Sequence, residues 1–190
     1  MNIVLFIIFG LAAAVIIYLI LIFNNLVTLK HSVAKAWANI DVLLAQRHDE
    51  LPRLVEVCKQ YMTYEQETLR RVMQARSAVA AAREQNNVAA LGPAETQLRG
   101  GLGNLFALSE GYPDLKANEN FRHLQFRITE MENAIADRRE LYNEIVNLNN
   151  IRIEQFPDII IATLFNFNPK PLLVFRDEEV SDVKIKSLFD

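Results

Sequence analysis

Apolar positions along the chain follow two regimes. From Ile3 to Phe23 the residues are mostly Ile, Leu, Val, Phe and Ala, and none is charged. As a helix this stretch spans about 31 Å, which matches the ~30 Å hydrocarbon core of a bilayer. Beyond it the apolar positions become periodic. One set reads Val33, Ile40, Arg47, Leu54, Tyr61, Thr68, Ala75, Ala82; the other reads Trp37, Leu44, Leu51, Cys58, Glu65, Val72, Val79. Both repeat every seven residues and together give the three-four spacing of a coiled-coil seam. The pattern predicts an all-α protein: an N-terminal transmembrane helix continuing into a long antiparallel helical bundle or coiled coil.

The expected organisation is an anchor over residues 1–23, a helical bundle over 24–157 and an apolar, then polar, tail over 158–190. Within the bundle a long helix is expected over about 24–85. Pro52 cannot donate to the carbonyl of His48, so a kink is expected there, while the unchanged heptad phase argues against a full turn. Asn86-Asn87 and Gly92-Pro93 mark a turn. A short helix over 94–110 follows, with Leu98, Leu102, Leu105 and Ser109 on one face; Gly100, Gly101 and Gly103 weaken it and allow close packing. Gly111-Tyr112-Pro113 stops it. The last long helix, over 118–155, starts at the N-cap residue Asn118 and has a seam of Phe121, Leu124, Ile128, Met131, Ile135, Arg138, Tyr142, Ile145, Asn149, Arg152 and Phe156. Phe156-Pro157 ends it. Ile159 to Phe167 is too apolar for a free tail and is expected to lie across the bundle or, as the alternative, against the membrane surface, ahead of a strand-like run from Leu172 to Phe175. Asp177-Glu178-Glu179 begin an end expected to be frayed or weakly docked.

Several residues of the first segment carry specific expectations. Ile3, Phe6, Gly10, Ala14 and Phe23 sample the membrane anchor, and Ala12-Ala13-Ala14 lies mid-segment, where no signal-peptide cleavage site belongs. Gly10 and Ala14 form a small-xxx-small pair suited to bringing two anchors together. No Lys or Arg precedes the segment, whereas Lys30 and Lys35 follow it ahead of the first acid, Asp41. That asymmetry places the amino terminus outside and the bundle in the cytoplasm of a single-pass, bitopic protein.

Composition narrows the function classes. A net charge of -3 among 190 residues argues against a nucleic-acid partner. A single cysteine, Cys58, leaves no internal disulfide or multi-cysteine zinc site, and its seam position makes it a small buried hydrophobe. The mean hydropathy of +0.08 is inflated by the first segment; the remainder reads as an ordinary soluble helical composition.

The chain resembles the LemA family, a bacterial group of membrane-anchored helical proteins. The resemblance is carried by Ala36-Trp37-Ala38-Asn39-Ile40-Asp41-Val42 and by Arg47-His48-Asp49-Glu50-Leu51-Pro52-Arg53-Leu54-Val55. Thr68-Leu69, Ala75-Arg76, Tyr112-Pro113-Asp114-Leu115-Lys116-Ala117-Asn118, Glu132-Asn133, Ile135, Arg139, Tyr142-Asn143 and Phe156-Pro157 extend it. Tyr64 stands where the family pattern has His, and Ala134 where it has Arg. The resemblance implies one N-terminal transmembrane helix, a short outside terminus and a cytoplasmic antiparallel bundle in a bacterial membrane. It implies no activity; one relative in magnetic bacteria is linked to forming membrane-bounded organelles.

Candidate chemistry is sparse. Di-iron bundles need inward carboxylates and two Glu-x-x-His pairs, and none of His31, His48 or His123 follows a Glu at that spacing. His48-Asp49-Glu50 are consecutive helical residues and point in different directions. No phosphate loop, nucleophile elbow or zinc motif occurs, and no cofactor is expected. What remains is charge on or beside the seam. Arg47, Glu65, Arg76 and Arg83 require partners if buried. Arg139, Tyr142 and Asn143, set against Glu132 and Glu65, form either an internal polar network or a partner-binding face.

The expected function is a non-enzymatic membrane-anchored scaffold. Its partners would be the bilayer, further copies of itself and, in some settings, another membrane protein. An unbroken helix from Phe23 to Arg83 would extend about 90 Å and leave seam residues uncovered, the motivation for self-association. An adaptor for a membrane enzyme such as a protease is the competing class, and a cryptic enzyme a third.

Overall fold

A computed structural model describes residues 2–175. Those residues form six helices and, among them, no strand: α1 (Asn2–Lys59), α2 (Gln66–Glu84), α3 (Val88–Ser109), α4 (Pro113–Ala117), α5 (Glu119–Glu154) and α6 (Asp158–Leu164). The all-α class expected from periodicity is the observed one. Two packing units divide them. One holds residues 2–38 and 140–172; the other holds 39–139 and 173–175. The acidic end that begins at Asp177 lies outside the described residues.

In the first unit, burial begins at Ile22. Residues 3–21 of α1 are exposed throughout and form a helical stretch long and apolar enough to cross a membrane. Ile22 and Leu26 of α1 then pack with Ile153 of α5 and with Ile161 and Ala162 of α6, and Phe23 and Phe167 close the cluster. The edge-to-face rings of Phe23 and Phe165 stand 4.8 Å apart and those of Phe23 and Phe167 6.0 Å. Trp37 meets Tyr142 at 5.7 Å, so α1 ascends as α5 descends. The apolar segment expected to lie across the bundle is helix α6 and the loop after it, docked on α1 and α5.

In the second unit, the buried face of α1 carries Ile40, Leu44, Leu51, Leu54 and Cys58. Burial pushes the Cys58 thiol up to about 12, so it is a packing residue rather than a nucleophile. Contacts of Arg47 with Glu132, of Glu50 with Arg127 and of Tyr61 with Asn118 again run α1 and α5 antiparallel.

The expected long helix over 24–85 is broken, and not at Pro52. α1 continues through the proline, and the break falls over residues 60–65. The reason is local. Proline removes one bond, the one to the carbonyl four residues back. That carbonyl, on His48, instead accepts a 2.9 Å hydrogen bond from Nε of Arg76 on α2. The helix therefore keeps its carbonyl satisfied and continues. At the true break the buried positions move on by one, to Met62 and Leu69 in place of Tyr61 and Thr68. α2 then buries Val72, Ala75, Val79 and Ala82 within the same unit. The seam expected to lie open for a second copy is covered by this chain itself.

Other boundaries also differ from expectation. α3 starts at Val88, before the predicted residue 94, because Asn87 caps it: its side chain accepts from the Ala90 amide at 3.0 Å, while Asn86 takes the left-handed turn at φ 49°. Gly92-Pro93 lies inside α3 instead of breaking the chain. Of Gly100, Gly101 and Gly103, expected to allow close packing, Gly101 does so: an added Cβ would stand 3.4 Å from the Val72 side chain and 3.9 Å from its Cα, whereas Gly103 faces open space. A still closer approach occurs at Gly92, where an added Cβ would stand 2.1 Å from the Val174 carbonyl oxygen. The strand-like run at 172–175 forms no strand, although Leu173 and Phe175 are buried and Val174 is exposed, the alternation that suggested one. Asn118 caps α5 as expected, accepting from the Phe121 amide at 3.1 Å. Along α5 the predicted seam is buried from Phe121 to Ile135 and again at Tyr142 and Asn149, but Arg138 and Phe156 are exposed and the remaining burial shifts from Ile145 and Arg152 to Val146 and Ile153. A straight helix drifts about 20° per heptad against a strict seven-residue repeat, which accounts for the slip.

Candidate functional site

Two carboxylates of the second unit, on different helices, converge on Arg47. Its place on the apolar seam of α1 turns the guanidinium inward, where it is 1 % exposed. One nitrogen, Nη1, donates to Oε1 of Glu132 on α5, and Nη2 donates to Oε1 of Glu95 on α3 at 2.5 Å. The other oxygen of Glu132 meets Nε of Arg99 at 3.3 Å. Two guanidinium groups thus balance two carboxylates, and three helices share one network. The two carboxylates hold Arg47 above its ordinary pKa although burial alone would lower it. Burial drives the Glu95 carboxyl above the usual range, opposed by Arg47. Ions buried in this way must be paired, and such pairs fix register among packed helices more than they add stability.

The remaining candidates go to separate places. Arg76 serves the His48 carbonyl described above. Arg83 pairs with Asp41 at 2.5 Å, tying α2 to α1. Glu65, at the start of α2, accepts from the Tyr112 hydroxyl, which holds that phenol above its ordinary value. Arg139 lies over the Phe175 ring at 4.5 Å, with Arg99 at 5.9 Å, so two cations grip the buried aromatic that follows Val174.

Tyr142 and Asn143 belong to the first unit. Burial raises the Tyr142 phenol, whose hydroxyl donates to the Pro171 carbonyl at 3.0 Å. Asn143 is half-buried and engaged. Asn150 clamps the backbone of Lys170 from both sides, donating to its carbonyl and accepting from its amide, each at 2.9 Å. Arg152 pairs with the buried Asp158 at 2.5 Å, joining α5 to α6. Of the proposed set, then, Arg47 and Glu132 meet, and the others take partners of their own.

Sequence reasoning missed Glu95. The signal was present: Leu91, Glu95, Leu98, Leu102 and Leu105 share one helical face, an acid at an apolar position. Starting α3 at residue 94 removed Leu91 from view. The Glu50–Arg127 pair, at 2.7 Å, was missed for a different reason: nothing in a single sequence links residues so far apart. Among the described residues no group of three His, Cys, Asp or Glu side chains could hold a metal.

An exposed apolar helix that runs into a bundle cross-tied by buried charge defines a membrane-associated helical-bundle protein. More particularly, the LemA family model matches residues 36–186, and the chain belongs to the LemA family. Similar curated proteins are Magnetosome protein MamQ 2 and Magnetosome protein MamQ 1 of Paramagnetospirillum magneticum. Each is 33 % identical over 84 residues, covering 44 % of this chain and 30 % of the relative. Magnetosome protein MamQ of Magnetospirillum gryphiswaldense is 29 % identical over the same shares. The match thus spans about a third of each relative's length.

Proposed function

We propose that this chain is a non-enzymatic scaffold of LemA type, held in a bacterial membrane by a single pass, with its amino terminus outside and its helical units in the cytoplasm. One observation carries the reading: a single continuous helix, α1, exposes an apolar surface on every side over residues 3–21 and buries one face from Ile22 onward. Such a helix ties a bilayer to a bundle without a flexible linker. The names of the MamQ relatives refer to magnetosomes, which agrees with a part in organising membrane.

Self-association rests on surfaces other than the covered seam. Leu141, Leu148 and Ile151 stand exposed along α5 at spacings of seven and three, and Gly10 and Ala14 remain open in the apolar segment. A second copy of the chain would cover both. Crosslinking in native membranes, with the mass of the particle measured in mild detergent, tests this; a strictly monomeric particle refutes it. The adaptor reading is favoured by a groove of about 590 Å³ between α2 and α3, where Arg71, Gln74, Gln97 and Asn104 stand beside the small residues Ala75 and Ala78. A stoichiometric membrane enzyme in the same pull-down would select it over the scaffold.

A further inference from the structure

At the end of the apolar segment, the first unit contains a cavity of about 390 Å³. Its size lies within the ~300–1,000 Å³ usual for small-molecule sites. The walls combine two chemistries. Phe23, Phe165 and Phe167 form an aromatic floor, while Lys30, His31 and Lys170 bring basic groups. No acidic residue is among those lining it. On α1, Phe23, Val27, Lys30 and His31 recur at helical spacing, so one face of the helix supplies both floor and charge.

Two features show that the cavity is built rather than incidental. The Lys170 backbone is held at both its polar groups by the side chain of Asn150, with Pro169 and Pro171 on either side, so that this lysine starts from a fixed point. The aromatic floor is locked by the ring contacts of Phe23 with Phe165 and Phe167.

The position points to the ligand. Lys30 lies about 10 Å along the helix beyond Phe23, and helical side chains lean toward the N-terminus, here back toward the apolar segment. A lysine so placed reaches the headgroup layer that flanks a hydrocarbon core ending near Phe23. Ile160, Leu164 and Phe165 are more than half exposed, and the Phe165 ring meets that of Phe23, which follows the exposed apolar stretch of residues 3–21.

We propose that this cavity binds the phosphate-bearing headgroup of an anionic phospholipid, with the exposed side of α6 seated against the acyl chains. The inference rests on the membrane reading of α1, and its test separates the two. The full chain is first extracted with alkaline carbonate; release without detergent defeats the membrane reading itself. For the chain that stays in the bilayer, native mass spectrometry from vesicles containing equal phosphatidylglycerol and phosphatidylcholine reads lipid retention.

Preferential retention of phosphatidylglycerol is expected. It should fall about fivefold for each of Lys30→Gln and Lys170→Gln, as surface attraction per lysine implies. Lys35→Gln, at an exposed lysine outside the cavity, should leave the preference unchanged. Equal retention of both lipids, or an equal loss in Lys35→Gln, overturns the proposal. Inorganic phosphate is the second probe: if it displaces the lipid at millimolar concentration, the site is one for free anions and the lipid assignment fails. Circular dichroism confirms that each variant keeps its helices.

Discussion

Helix α1 contains two apolar stretches of opposite design. Over residues 3–21 every side is apolar and exposed. Over residues 40–58 only one stripe is apolar, and Ile40, Leu44, Leu51, Leu54 and Cys58 are buried while Asp49 and Glu56 face water. The backbone is the same; the surroundings each stretch requires are not. A stripe can be satisfied by neighbouring helices, which leaves room for polar residues and even for an arginine that those neighbours neutralise. An all-round apolar surface has no such neighbours among the described residues, and a bilayer is the environment that suits it. The contrast also explains why charge enters α1 where it does: Arg47 is tolerated in the stripe because Glu95 and Glu132 come to it from α3 and α5.

The largest effect expected from breaking this contrast is at Arg47. Replacing it with Met leaves two carboxylates facing each other in the bundle, and a loss of about 3–5 kcal/mol is expected for an orphaned buried charge. The pH dependence of that variant has a definite sign. Without the guanidinium, the buried Glu95 carboxyl loses the charge that opposes its burial and stays above its unfolded value, so stability is greatest at low pH and falls as pH rises through that raised folded value. Denaturant melts at pH 5 and pH 7 check both: a variant as stable as the parent, or one more stable at pH 7, contradicts the network.

A paired truncation sharpens the comparison between the two stretches. Leu51→Ala is expected to cost about 2–5 kcal/mol because it opens a cavity in a packed core. Leu11→Ala, exposed at 68 %, should leave the bundle's melting unchanged. Equal destabilisation would mean that residues 3–21 pack against protein in the folded state.

A smaller effect tests how α1 survives its proline. Arg76→Met strands the His48 carbonyl and should cost about 1–3 kcal/mol. In a Pro52→Ala background the helix regains its own amide donor, so the same substitution should cost less. A double-mutant cycle measures the coupling; additive costs would show that Arg76 does not stand in for the missing bond.

The smallest effect concerns His48. Burial, with the positive charges of Arg76 and Arg83 beside it, holds the imidazole below its ordinary value, against the pull of Asp49 and Glu84. A depressed histidine contributes stability above its unfolded pKa of about 6.5 and loses it as pH falls through that value. The stability curve should therefore slope downward below about pH 6.5, and His48→Gln should flatten that slope.

The sequence by itself determined the helical class, the apolar first segment, the caps at Asn118 and the buried face of α1 and of early α5. These are legible because they are local: periodicity and mean hydropathy depend on residues within a turn or two of one another. The candidate site was only half legible, since a seam arginine announces that it needs a partner without saying which. Tertiary structure decided that Glu95, forty-eight positions along the chain, and Glu132, eighty-five along, are those partners. It also decided that Pro52 is bridged while the chain turns at residues 60–65, because the rescuing guanidinium comes from another helix. The cavity beside Phe23 arises in the same way, from a helix and a distant loop that meet only once the chain has folded.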